Sequence, residues 1–234
     1  MKILFSPSEG KIFPSQRGVM SERVEGIYQR YFEFISSASE GEIAKAMGYS
    51  KLSEVAQALS HITQEPKLGK AIELYSGVAY DALDFPSLPQ DSKQWLSKNT
   101  LIFSNLFGAV SAEELLPFYK LKQGEGFASF STKEVYQKQE SEIDESLEGE
   151  FVLDLRAEFY KKLYMPKSHH YSMEFYKNGK KVSHFGKYYR GIVLRELALN
   201  RGFEGIEERV REYGIQSEGI KNSKNCTTLT FCIL

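Results

Sequence analysis

Cysteine is scarce in this 234-residue chain: Cys226 and Cys232 are the only two. Their CxxxxxC spacing fits neither a zinc ribbon nor a CxxC redox pair, so stability does not depend on a disulfide framework. Two small core-like residues in a reducing compartment are expected. Long apolar runs are also missing. The opening MKILFSPSEGK has only Ile3, Leu4 and Phe5 in a row, too few for a secretory signal. No stretch approaches the roughly 20 apolar residues of a membrane span, so a soluble cytoplasmic chain without a membrane partner is expected. An excess of one charge is absent too: 30 Lys and Arg stand against 31 Asp and Glu, a net charge of −1. Total charge therefore selects no class of partner. No HExxH, GxSxG, GxGxxG or Walker phosphate loop occurs. His169 and His170 are adjacent, and neighbours on a strand point to opposite faces. No metal site and no cofactor are expected.

What is present describes an ordinary globular chain, with 41% hydrophobic and 26% charged residues. At this length about 70–75% of the unfolded surface can be buried, and a single domain over residues 1–234 is expected. Aromatics are plentiful, with 14 Tyr, 16 Phe and one Trp. So many tyrosines line either a polar cleft or the amphipathic edge of a core. The charges are also unevenly distributed. Lys133 to Glu158 holds nine acids against three bases, whereas Lys161 to Arg201 holds ten bases against two acids. The basic segment is either an anion-facing surface or the complement of the acidic one.

Lys2 to Phe5 reads as a strand ended by Ser6-Pro7 and Gly10. Residues 22–38 and 40–60 carry apolar positions at helical spacing. Leu101 to Phe103 reads as a buried strand. Ser111, with Glu114 three residues on, has the pattern of a helix-opening capping box. Phe151 to Arg156 predicts a central strand, preceded by the acidic stretch 137–150 as an exposed helix or excursion. Asn178-Gly179 between two strand-like runs predicts a type I′ hairpin. A helix from Lys187 to Asn200, stopped by Gly202, and a last strand from Thr228 to Leu234 complete the chain. Strands alternating with helices, plus an antiparallel hairpin, predict an α/β fold with a mixed sheet.

Three places carry candidate chemistry. Ser6, Glu9 and Lys11 follow the first strand, where α/β folds place ligands. Leu101 to Pro117, with its turn at Asn105 to Gly108, has the outline of a degenerate helix-hairpin-helix, an element that can offer backbone N–H groups to phosphate, although with one glycine in place of two a plain strand-turn-helix connection is the favoured reading. Lys187 and Arg190 lie near an expected helix start, where cations oppose the helix dipole unless an anion sits between them.

Five blocks, in order, resemble the YaaA (UPF0246) family from Lys2 to about Gly202. KILFSPSEGK resembles the family opening in its PPSEGK form, and ELYSGVAYDALD resembles the LYxGxVYxxL block. SNLFGAVSAEELLPFYKL resembles SGLYGxLRPxDxxxPYRL. FVLDLRAEFYKKL and VSHFGKYYRG resemble the V(N/D)LxSxEY block and the block ending in K(K/A)xxG. Lys120 stands where PYRL has Arg, keeping charge but losing a bidentate fork. Val110-Ser111-Ala112 stands where the family has Arg-Pro. The resemblance implies an unusual α/β fold with a basic cleft and a helix-hairpin-helix-like element. It also implies a bacterial peroxide-stress protein that limits iron-promoted damage and binds non-duplex or branched DNA. On that basis the expected DNA or anion contacts are Ser6, Lys11, Asn105, Gly108, Tyr119, Lys120, Arg156, Lys187 and Arg190, with Tyr75, Tyr80 and Tyr119 as stacking faces. The alternative is an enzyme acting on a small nucleotide-like anion in the same cleft, with Glu9 or Asp154 as acid or base.

Overall fold

The expected first strand forms as β1 (Lys2–Phe5) in a computed structural model that describes residues 1–182 and 184–234. Ile3 and Phe5 pack into one core with Ile102 and Leu153, while Leu4 packs into another with Phe103 and Val152. That alternation is what a strand buried on both faces requires. Helix α1 (Glu22–Ser37) buries Val24, Tyr28 and Tyr31. The helical pattern over 40–60 is divided: Gly48, at φ 74°, ends α2 (Glu40–Met47), and α3 (Leu52–Leu59) follows. A left-handed glycine is the usual helix stop.

Strand β2 (Leu68–Lys70) runs into two short helices, α4 (Ala71–Leu74) and α5 (Val78–Leu83), and then α6 (Gln90–Asn99). Strands β3 (Thr100–Ser104) and β4 (Gly108–Ser111) make an antiparallel hairpin, and β5 (Leu115–Pro117) pairs with β2. Residues 101–117 are thus strand, turn and strand, and not helix-hairpin-helix. Ser111 opens no helix; its hydroxyl accepts the Glu113 N–H at the end of β4. The local capping pattern loses because Leu115 to Pro117 gains a partner strand and buries Leu116 completely.

The acidic stretch lies on α7 (Thr132–Leu147). After β6 (Val152–Asp154) come α8 (Glu158–Lys161), β7 (His170–Lys177), β8 (Lys180–Lys181), α9 (His184–Asn200), α10 (Ile206–Val210), β9 (Ile215–Asn222) and β10 (Cys226–Ile233). Asn178 and Gly179 adopt φ of 52° and 71°, the left-handed pair that a tight hairpin needs. The main sheet runs β4-β3-β1-β6-β7-β10-β9, with β8 beside β7. β3, β1, β6, β7 and β10 are parallel, and β4 and β9 are antiparallel edges. The fold is α/β with a mixed sheet, and β6 is its central strand. Among the described residues no helix is long and apolar enough to cross a membrane.

Two contacts set this frame. Helix α9 lies so close to α5 that a Cβ at Gly191 would stand 2.1 Å from the Ala79 carbonyl oxygen. At the end of β6 the Arg156 guanidinium donates to both Asp154 carboxylate oxygens, at 2.9 and 2.8 Å, with both side chains fully enclosed. Gly191→Ala should lower the unfolding midpoint in denaturant, because overpacking costs about 1–3 kcal/mol and outweighs the roughly 1 kcal/mol that alanine gains in a helix. Arg156→Ala leaves a buried carboxylate alone and should cost about 3–5 kcal/mol in the same assay. An unchanged midpoint would contradict the enclosed pair.

Candidate functional site

A cavity of about 330 Å³ opens at the C-terminal ends of β1 and β6, the edge at which α/β sheets hold ligands. The loop after β1 supplies Ser6, Ser8 and Glu9, and α9 supplies Lys187 and Arg190. Two hydrogen bonds pin the loop: Tyr80 donates to the Ser6 carbonyl at 2.9 Å, and the Ala157 N–H donates to the Ser6 hydroxyl at 2.8 Å. Gly77 forms a further wall, in the turn between α4 and α5. Its φ of 99° and the approach of the Ser8 hydroxyl, 3.3 Å from where a Cβ would be, leave little alternative to glycine. A helix–glycine turn–helix does exist in this chain, then, but over residues 71–83.

Arg190 is the least satisfied cation of the site. Its Nε is buried without a hydrogen-bond partner. Burial lowers its guanidinium from the ordinary value, partly offset by Glu158 and Asp154. Among the described residues neither Arg190 nor Lys187 forms an ion pair. Other members of the basic segment are neutralised: Lys167 by Glu140 and Asp144, and Lys181 by Glu158 and Glu174. Helix α9 begins at His184, earlier than expected, which puts Arg190 in its second turn. Because the dipole fades within one turn, burial rather than the dipole is what disfavours the Arg190 charge.

Lys11 and Lys120 stand behind the same loop. The Lys11 ammonium donates to the Ser8 carbonyl at 3.1 Å and lies 4.1 Å from the Tyr119 ring centroid and 5.2 Å from that of Tyr75. Burial, then repulsion from Lys120, pushes the Lys11 ammonium down to about 7, against a smaller opposing pull from Glu9. Lys120 donates to the Glu9 carbonyl at 3.2 Å and lies 3.8 Å from its carboxylate, which also accepts the Gln123 N–H. Glu9 is the one carboxylate among the residues lining the cavity.

The remaining expected residues are placed elsewhere. Asp154 and Arg156 bind each other and do not line the cavity. Asn105 is a buried tie, accepting from the Tyr160 hydroxyl at 3.0 Å and donating to the Leu121 carbonyl. Gly108 is a turn glycine, since a Cβ there would meet Gln139 at 1.8 Å. Tyr75 and Tyr119 are 2% and 1% exposed, so their rings offer no free stacking face. Their hydroxyls join each other and Ser104 at 2.8 Å. Tyr80, 6% exposed, borders the cavity. Tyr160 and Gly77 were not anticipated as site residues, although the glycine in ELYSG was the available signal.

The family described as peroxide stress protein YaaA matches residues 1–211. An uncharacterized protein of Campylobacter jejuni is 42% identical over 86% of each chain. A UPF0246 protein of Corynebacterium glutamicum is 32% identical over 80% of each, and one of Streptomyces coelicolor is 28% identical over 93% of this chain and 92% of its own. The matched span contains every cavity residue named above, and the chain belongs to the YaaA peroxide stress protein family.

Proposed function

We propose that this peroxide stress protein binds nucleic acid at an unpaired nucleotide, with a phosphate at Arg190 and Lys187 and the nucleoside in the cavity beside Tyr80 and Tyr160. The observation carrying this reading is Arg190, half-buried on the cavity wall, whose enclosed Nε has no hydrogen-bond partner and which forms no ion pair among the described residues. Burial of this charge is only partly offset by Glu158 and Asp154, and an arriving phosphate would complete that compensation. The cavity lies at the lower end of the roughly 300–1,000 Å³ range of small-ligand sites, which suits one nucleotide and no duplex. Non-duplex and branched DNA present such nucleotides, and phosphate contacts carry no sequence readout. Covering such DNA would limit iron-promoted damage to it.

A second reading is favoured by the enclosure of the Tyr75 and Tyr119 rings and by Glu9 on the cavity wall. A free nucleotide-like anion occupies the same cavity, and Glu9 acts as the acid or base, since Asp154 is tied to Arg156. The two readings separate in one experiment. Binding to single-stranded, branched and duplex DNA is measured across a salt series, alongside thermal stabilisation by mononucleotides. The expected result is preference for the non-duplex forms and an affinity that falls with salt, with a slope of about −0.7 per phosphate contacted. Lys187→Ala with Arg190→Ala should weaken binding and flatten that slope. Salt-independent DNA binding would refute the first reading; stabilisation by mononucleotides with no DNA binding would leave the second.

Lys11 adds a pH signature. A phosphate near the Ser8 loop favours the charged ammonium, so binding takes up a proton at Lys11, whose value in the free protein is about 7. Lys120 and Glu9 are the charged neighbours that modulate it. Affinity is therefore expected to rise as pH falls from about 8 to about 6, by the linkage of proton and ligand binding. Lys11→Met should flatten that profile, as read by titration at fixed salt.

A further inference from the structure

A second cavity, of about 220 Å³, lies between α1 and α7. Ile27, Phe130 and Val135 give it an apolar floor, and its rim carries Arg23, Arg30 and Lys138 against a single carboxylate, Glu134. Arg23 is held in place: its guanidinium donates to the Phe107 carbonyl at 2.7 Å and to the Ala109 carbonyl at 3.4 Å. Those two bonds leave further donors among its five N–H groups. The Arg30 guanidinium lies 5.9 Å from the Phe130 ring centroid. None of the three cations forms an ion pair among the described residues. Ser131, which precedes α7 and lines the cavity, makes no side-chain capping bond.

The two cavities share one edge of the sheet. β1 and β3 run parallel, so the loops that follow them emerge on the same side. Asn105, directly after β3, ties the cavities together. Its side-chain oxygen accepts from Tyr160, which lines the first cavity. Its carbonyl accepts from Thr132 at 2.7 Å, next to Ser131 of the second.

We infer that the second cavity takes the sugar-phosphate of a further nucleotide of the same nucleic-acid strand, its phosphate met by Arg23, Arg30 and Lys138. The inference rests on the nucleotide reading of the first cavity. An apolar floor under a cationic rim suits a sugar-phosphate unit better than a bare inorganic anion, because the ring atoms gain burial while the charge stays at the rim. The strand thus crosses the protein along the C-terminal edge of the sheet, over two anchoring points and not one.

The test is anisotropy binding of single-stranded oligonucleotides from about two to about twelve nucleotides, a span bracketing common strand site sizes. Wild type is compared with Arg30→Gln/Lys138→Gln and with Lys187→Ala/Arg190→Ala. Both Arg30 and Lys138 are exposed, so an unchanged unfolding midpoint serves as the folding control. Wild-type affinity should rise with length. Arg30→Gln/Lys138→Gln should weaken the longest strands about tenfold and lower their salt slope by about 1, with the shortest strand unaffected. If that variant follows wild type at every length, the inference is overturned. If wild type binds short strands and gains nothing with length, the second cavity takes no nucleotide, while the first-cavity reading stands. If wild type binds no strand of any length, both readings fall.

Discussion

The enclosed pair between Asp154 and Arg156 is the contact on which this end of the molecule depends. Burial alone would raise the Asp154 carboxyl, but the Arg156 charge and hydrogen bonds hold it below its ordinary value. Arg156 also donates to the Tyr160 carbonyl, and its guanidinium lies 4.1 Å from the Phe103 ring centroid. One side chain therefore joins β6, β3 and α8. Tyr160 then carries the arrangement outward to Asn105, and Asn105 to the start of α7. A buried pair of this kind adds little net stability over an apolar replacement, but losing one member is costly. Its effect is to fix where Tyr160 stands, and Tyr160 is a wall of the cavity.

Against that satisfied pair, the cations near the cavity are conspicuous for what they lack. Lys120 has the Glu9 carboxylate within reach, whereas Lys11 has a carbonyl and two aromatic rings. Arg190 has a buried Nε with no hydrogen-bond partner among the described residues. Low dielectric strengthens any charge interaction at such a place and equally raises the cost of leaving a charge alone. Cations with and without ion pairs among the described residues lie within one small region, and two of the latter, Lys187 and Arg190, border the cavity. The basic segment of the sequence thus contains cations paired with carboxylates, such as Lys167, Lys181, Arg195 and Arg201, beside Lys187 and Arg190, which form no ion pair among the described residues.

Much of the fold was legible because it is written in local periodicity. Lys2 to Phe5, Leu101 to Phe103 and Phe151 to Arg156 became adjacent parallel strands, and Asn178-Gly179 made its hairpin, since only left-handed backbone closes so tight a turn. The cavity lining was legible at Ser6, Glu9, Lys187 and Arg190, which follow a strand or lie in the basic segment. It was misread at Asp154 and Arg156, whose identities suggested chemistry while their burial makes them structural. Ser111 with Glu114 had the letters of a helix start, yet Leu115 to Pro117 found β2 to pair with. Strand β9, polar and carrying Gly219, had no strand signal of its own and forms along the edge of β10.

By itself the sequence determined the α/β class, the family, the positions of the principal strands along the chain and the uneven placement of charge. These follow from side-chain period, turn chemistry and motif order, which are properties of neighbours along the chain. Only the tertiary structure decided which of the charges meet. Asp154 and Arg156 find each other two residues apart at a strand end, Glu9 reaches Lys120, and Arg190 forms no ion pair among the described residues. Pairing and burial depend on residues far apart in the chain, and a charge enclosed without a partner is visible only once every neighbour has been placed.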